Sequence, residues 1–82
     1  TKPYYPPQEV RMGHEGLVTL QIYVMPNGRV GDAKIAVSSG YPRLDESARR
    51  EALKSWRFKP RMEGGAAVGS WGTFKVRFTL EQ

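Results

Sequence analysis

The chain has 82 residues and a formal net charge of +5, with a pI of about 9.9. At this length one modest core is expected, burying roughly 60–65% of the unfolded surface, and the lack of cysteine excludes disulfides, thiolate nucleophiles and cysteine metal sites. No apolar run is long enough to span a bilayer, and a basic surplus of this size suits an acidic or anionic partner without requiring one.

Residues 1 to 7, rich in Pro and Tyr, are predicted to form an extended arm. Pro7 can open a short helix that runs to Met12 and stops at Gly13. From Leu17 the period becomes two: Val18, Leu20, Ile22 and Val24 face one way, and Thr19, Gln21 and Tyr23 the other, which predicts a half-buried strand. Asn27-Gly28 tolerates the positive φ of a hairpin turn, so the chain should reverse there. Ala33, Ile35 and Val37 then predict a second, less apolar strand.

Gly40-Tyr41-Pro42 punctuates the chain, because proline sets a turn and cannot sit inside a strand ladder. Asp45 suits the N-cap of a helix extending from Leu44 to Phe58. Leu44, Ala48, Ala52 and Trp56, with Leu53 beside them, form its apolar stripe, and Glu46, Arg50 and Lys54 its wet side. Arg57, Lys59 and Arg61 put positive charge near the negative helix end, and Pro60 stops further winding. A glycine-rich loop (Gly64, Gly65, Gly69) follows. In the last strand Phe74, Val76, Phe78 and Leu80 alternate with Thr73, Lys75, Arg77 and Thr79.

These elements predict an α+β fold, a three-stranded antiparallel sheet with two helices packed on one face. The last strand lies beside the first, leaving two free edges. A free edge exposes unpaired N–H and C=O groups that recruit another strand unless they are blocked.

Enzymatic chemistry finds little support. His14 is the sole histidine, so a metal site would have to be completed by carboxylates; it reads as an ordinary surface residue, and no metal or cofactor is expected. The serines have no partner base except His14 and no nucleophile elbow. Gly64-Gly65 lacks the Lys-Ser/Thr of a phosphate loop. Arg49, Arg50, Lys54, Arg57, Lys59 and Arg61 near Trp56, Phe58 and Trp71 raise a nucleic-acid reading. The charges, however, run around the helix rather than down one face, and Trp56 sits on the apolar stripe. A solvated helix face is the simpler account.

A set of short motifs points further. Tyr5-Pro6, Glu15-Gly16-Leu17-Val18, Pro26-Asn27-Gly28-Arg29-Val30, Ser38-Ser39-Gly40, Leu44-Asp45 and Trp56-Arg57-Phe58-Lys59-Pro60 occur in that order along nearly the whole chain. In order and spacing they resemble the C-terminal domain of TonB, the periplasmic energy transducer of Gram-negative bacteria. One departure is Tyr4-Tyr5-Pro6-Pro7, which doubles both letters of the family's Y-P.

The resemblance implies that residues 1–82 are one domain excised from a longer, membrane-anchored protein, and that this domain works in the periplasm. It implies a partner, the TonB box of outer-membrane TonB-dependent transporters, bound by strand addition to the last strand. ExbB and ExbD would act at the anchor outside this segment, and an exposed edge also permits a homodimer. The expected partner-binding residues are Lys2, Pro3, Tyr4, Tyr5 and Pro6 in the arm, with Trp71, Thr73, Phe74, Lys75, Val76, Arg77, Phe78 and Thr79 in the last strand. The competing readings are a periplasmic interaction domain like the C-terminal domain of TolA, and a small basic nucleic-acid-binding module.

Overall fold

A computed structural model describes residues 3–80; Lys2 of the expected site lies outside the described residues. The elements in chain order are α1 (Pro7–Met12), β1 (Gly16–Val24), β2 (Val30–Val37), α2 (Pro42–Ser55), β3 (Arg61–Glu63), β4 (Ala66–Val68) and β5 (Ser70–Phe78). The main sheet has the order β2-β1-β5, antiparallel throughout, as the strand pattern predicts. β1 is central because it carries the longest apolar alternation. Val18, Leu20 and Ile22 are fully buried, together with Phe78 and Leu44.

β1 and β2 are joined by the expected reversal. Met25 N–H donates to Arg29 O, and Gly28 N–H to Met25 O. Only Gly28 takes a positive φ, 86°; Asn27 instead accepts the Arg29 N–H on Oδ1 at 2.9 Å. This is a three-residue loop with glycine at the left-handed position. A Cβ on Gly28 would also lie 2.3 Å from the Phe58 carbonyl oxygen, so the glycine is required twice over.

Two irregularities on β2 decide what it buries. The register passes from Tyr23↔Asp32 to Val24↔Val30, and from Leu20↔Ile35 to Thr19↔Val37. Gly31 and Ala36 are therefore extra residues on β2, and each reverses side-chain parity beyond it. The first brings Val30 into the core beside Val24; the second turns Val37 to the uncovered face, where it is 59% exposed.

α2 corrects the predicted helix at both ends. Its N-cap is Tyr41, in extended conformation, and Pro42 is its first residue. Proline belongs there because the N–H it lacks would have no helical partner. Asp45 lies inside the helix and is 8% exposed. Its carboxylate accepts from the Ser39 N–H at 2.8 Å, the Ser39 hydroxyl at 2.7 Å and the Ser38 hydroxyl. It thus ties the Ser38-Ser39-Gly40 loop to the helix instead of capping it. At the other end α2 stops at Ser55, and Trp56 is already extended. Trp56 to Phe58 runs back along the hairpin: Phe58 N–H donates to Gly28 O, and Arg57 bridges Arg29. Leu44, Ala48 and Ala52 keep their predicted place on the buried stripe.

The segment predicted as a glycine-rich loop contains a second, two-stranded sheet. β3 pairs antiparallel with β4 around Gly64 and Gly65, at φ 55° and 82°. Two consecutive positive φ values are what a tight hairpin demands, and Gly-Gly is among its strongest signals. The last strand ends at Phe78, before Leu80, whose N–H donates to Glu15 Oε2 at 2.7 Å.

Candidate functional site

The outer edge of β5 is the longest unpaired strand edge among the described residues. In an antiparallel ladder the N–H and C=O of one residue point to the same side, and successive residues alternate. Met25 N–H points toward β2, so the odd-numbered peptide groups of β1 face β2 and the even-numbered ones face β5. The extra residues lie on β2, leaving β1 regular. Ala33, opposite Ile22, fits this parity: its N–H turns away from β1, to Asp32 Oδ1 at 2.8 Å.

Across the other interface Val18 pairs with Val76, Leu20 with Phe74 and Ile22 with Gly72. The even-numbered residues of β5 therefore bond to β1, and the peptide groups of Trp71, Thr73, Lys75 and Arg77 point outward. The Leu80 N–H, directed to Glu15 next to β1, continues the same parity.

Side chains alternate as well. Lys75, Arg77 and Thr73 are exposed on the face away from the helices, with Trp71, which is half exposed. Trp71 rests on Tyr23, centroids 5.3 Å apart, and under the Lys34 ammonium at 5.0 Å. Val76 and Phe78 are buried, so their side chains belong to the core; Thr79 is exposed beyond the strand end. Phe74 is intermediate. Its ring leans over Gly72, where a Cβ would meet it at 3.0 Å.

The arm divides between two neighbours. Tyr5 packs edge-on against Phe78, with centroids 5.3 Å apart, and its hydroxyl donates to His14 O. That phenol is pushed above its ordinary pKa, first by desolvation and then by the Glu15 and Glu9 carboxylates. Tyr4 instead lies on α2: its N–H donates to Glu51 Oε1 at 2.9 Å, and its carbonyl accepts from the Ser47 hydroxyl at 2.6 Å. Tyr5 is thus the tyrosine at the end of β5, with Pro6 beside it, while Pro3-Tyr4 runs along the helix.

His14 is a structural residue. It stacks on Tyr41 with centroids 4.0 Å apart and bonds Glu9 Oε1 through Nδ1 at 2.9 Å. Glu9 is only 3% exposed, so this pairing is what allows its burial. No cluster of three or more metal-ligating side chains occurs among the described residues.

Of the four basic residues of α2, two are paired with a carboxylate, and Arg43 and Lys54 are exposed. Arg49 and Arg50 both bond to Glu46. Partial burial pushes the Glu46 carboxyl up, but the bonds from Arg50 and Arg49 outweigh it and hold the group below its usual range. Arg57 donates to Trp56 O at 2.9 Å, and Arg61 pairs with Glu63. The helix face is thus solvated and in part internally paired.

Sequence reasoning missed one feature beside the edge. Trp56, read as part of the helix stripe, stands with Phe58 and Phe74 in an aromatic cluster. Phe58 and Phe74 are 4.8 Å apart, and Trp56 lies 6.0 and 6.2 Å from them. The alternation of Trp56 and Phe58, spaced by two, was the available signal for an extended segment.

The site is thus a small α+β scaffold presenting a strand edge, the architecture of an interaction domain. The sequence profile of the Gram-negative bacterial TonB protein C-terminal family matches residues 1–80, and this chain belongs to that family. It is 35% identical to the tonB2 protein of Pseudomonas aeruginosa over 78 residues, covering 95% of this chain and 28% of that one. To the TonB protein of Vibrio cholerae it is 35% identical over 80 residues, covering 98% of this chain and 32% of that one. The chain therefore spans about a quarter to a third of the length of these relatives. The solution structure of the P. aeruginosa TonB C-terminal domain superimposes with a TM-score of 0.75 at 30% identity, covering 100% of this chain and 82% of that one. The tonB2 structure from Vibrio anguillarum gives 0.71 at 26% identity, covering 99% and 76%. The family is one of non-enzymatic transducer and interaction domains, and membership in it favours the TonB-like reading over the TolA-like and nucleic-acid alternatives.

Proposed function

We propose that this domain grips the TonB box of outer-membrane TonB-dependent transporters by adding it as a strand to the outer edge of β5. Force or motion derived from the proton gradient then passes through that grip and opens the route for siderophores, haem, cobalamin or similar cargo. In this reading residues 1–82 are the periplasmic domain of a longer protein held in the inner membrane by an N-terminal anchor, where ExbB and ExbD act.

The observation that carries the proposal is the free β5 edge in a chain of this family. Its outward peptide groups at Trp71, Thr73, Lys75 and Arg77 offer a main-chain ladder, and the side chains beside them give selectivity. Lys75 and Arg77 also make indiscriminate edge pairing unfavourable, a usual role for charges on an edge strand. A second copy of the chain competes for the same edge, giving a homodimer at high concentration.

Chemical-shift mapping with a TonB-box peptide on 15N-labelled domain tests the reading. The largest shifts are expected at the amides of Trp71, Thr73, Lys75 and Arg77, with smaller ones at Tyr5. Shifts confined to β2 or α2 would refute it.

A further inference from the structure

α2 packs mainly on β2 and β1, and on the helix-side face of β5 Val76 and Phe78 are buried while Phe74 is only partly covered. There lies a cavity of about 470 Å³ floored by Trp56, Phe58 and Phe74. Arg57, Glu51 and Ser55 complete its lining, with Lys75 at the β5 edge where the two faces of the sheet meet. Phe74, Phe58 and Trp56 are each only partly buried although they pack against the core, so part of each ring remains available to a side chain entering this space.

The place of Phe74 in the ladder gives the cavity its use. Its peptide group bonds toward β1, so a strand added antiparallel to β5 meets Phe74 in a non-hydrogen-bonded pair. Side chains approach most closely at such pairs, with Cα atoms about 4.5 Å apart. The partner residue opposite Phe74 must also point to the same face of the sheet, into the aromatic cavity. Its neighbour points to the other face, beside Lys75.

Resting on the strand-addition reading above, we infer that the Trp56–Phe58–Phe74 cavity is the specificity pocket for the added strand. It takes a large apolar side chain, best an aromatic one, from a strand whose adjacent residue carries a carboxylate. The aromatic floor favours edge-on or offset packing of a ring. Lys75, exposed on the face to which that neighbour points, favours a carboxylate there and disfavours a basic residue.

The test uses a TonB-box nonapeptide in which each position in turn is Phe, Ala or Glu, with domain labelled by 5-fluorotryptophan. At one position Phe is expected to bind roughly tenfold tighter than Ala, the scale of partly burying one large apolar side chain. The same peptide should move the fluorine resonance of Trp56 more than that of Trp71. Glu next to that position should tighten binding severalfold, a gain lost in Lys75→Gln. Phe74→Ala should flatten the Phe-over-Ala ratio; Phe58→Leu reads the same ratio if Phe74→Ala does not fold. Peptides that shift the β5 amides yet bind equally with Phe or Ala at every position would overturn the pocket and leave strand addition standing. Peptides that bind nowhere on β5 would overturn both.

Discussion

Asp45 shows how one side chain can hold a loop that has little packing of its own. It accepts from two serine hydroxyls and the Ser39 amide, and hydrogen bonds to a charged acceptor are the stronger kind. Asp45→Ala should cost about 2–3 kcal/mol, because the Ser39 N–H loses its partner in a part-buried site; urea denaturation reads this directly. Trp56→Ala should cost about 2 kcal/mol. That is below the range of about 3–5 kcal/mol for fully buried aromatics, since Trp56 is only partly covered, and a thermal melt will show it. Tyr5 gives a pH signature. Its folded pKa is raised, so the native state holds the phenolic proton more tightly than the unfolded chain does. The stability it adds is complete below the ordinary phenol pKa of about 10 and is lost as pH rises through the folded value. Comparing denaturation of the parent and Tyr5→Phe at pH 9 and pH 11 should show a steeper alkaline loss in the parent.

At the scale of elements, the parity of β5 separates its proposed gripping role from its folding. Proline lacks an N–H and is tolerated in a strand only where that group faces outward. Lys75→Pro and Arg77→Pro should keep the β1–β5 ladder, hold stability within about 1 kcal/mol of the parent, and abolish peptide binding. Val76→Pro removes a bond to β1 and should melt the domain; circular dichroism and peptide titration of the three variants distinguish these outcomes. Folded Lys75→Pro that still binds the peptide would remove β5 as the gripping edge. β2 is a poorer candidate for this role: the extra residues Gly31 and Ala36 break the regular spacing that an incoming strand needs.

The whole molecule is elongated, with extents of 49 × 20 × 17 Å and a radius of gyration of 14.1 Å. A compact chain of this length would have a radius of roughly 12 Å. Nine-residue strands such as β1 and β5 span only about 30 Å, so the long axis exceeds the length of the main sheet itself. Its net charge of +5 should steer association more than it holds the complex, since neutral main-chain bonds carry the ladder. Raising salt from 50 to 500 mM should therefore weaken a TonB-box peptide by less than about tenfold in isothermal titration. A phosphate-binding surface would instead show a steep linear fall of log affinity with log salt.

Much of this architecture could be read along the chain. The two-residue period of β1 and β5, the Asn27-Gly28 reversal, the Pro7 helix and the apolar stripe of Leu44, Ala48 and Ala52 are local signals. Each acts over a few residues through sterics and periodicity, so the chain alone determined them, and the ordered motifs from Tyr5-Pro6 to Trp56–Pro60 determined the family. Tertiary structure decided the rest. Asp45 turned from a cap into a loop anchor because Ser38 and Ser39 came within its reach. Val30 entered the core and Val37 left it because Gly31 and Ala36 found no partner on β1. Trp56 and Phe58 left the helix because Phe58 N–H could pair with Gly28 O across the hairpin, and so came to stand beside Phe74. These outcomes depend on partners distant in sequence. The groove beside Phe74 on β5 likewise exists only because α2 packs mainly on β2 and β1, a choice made by the assembled core and invisible in any single segment.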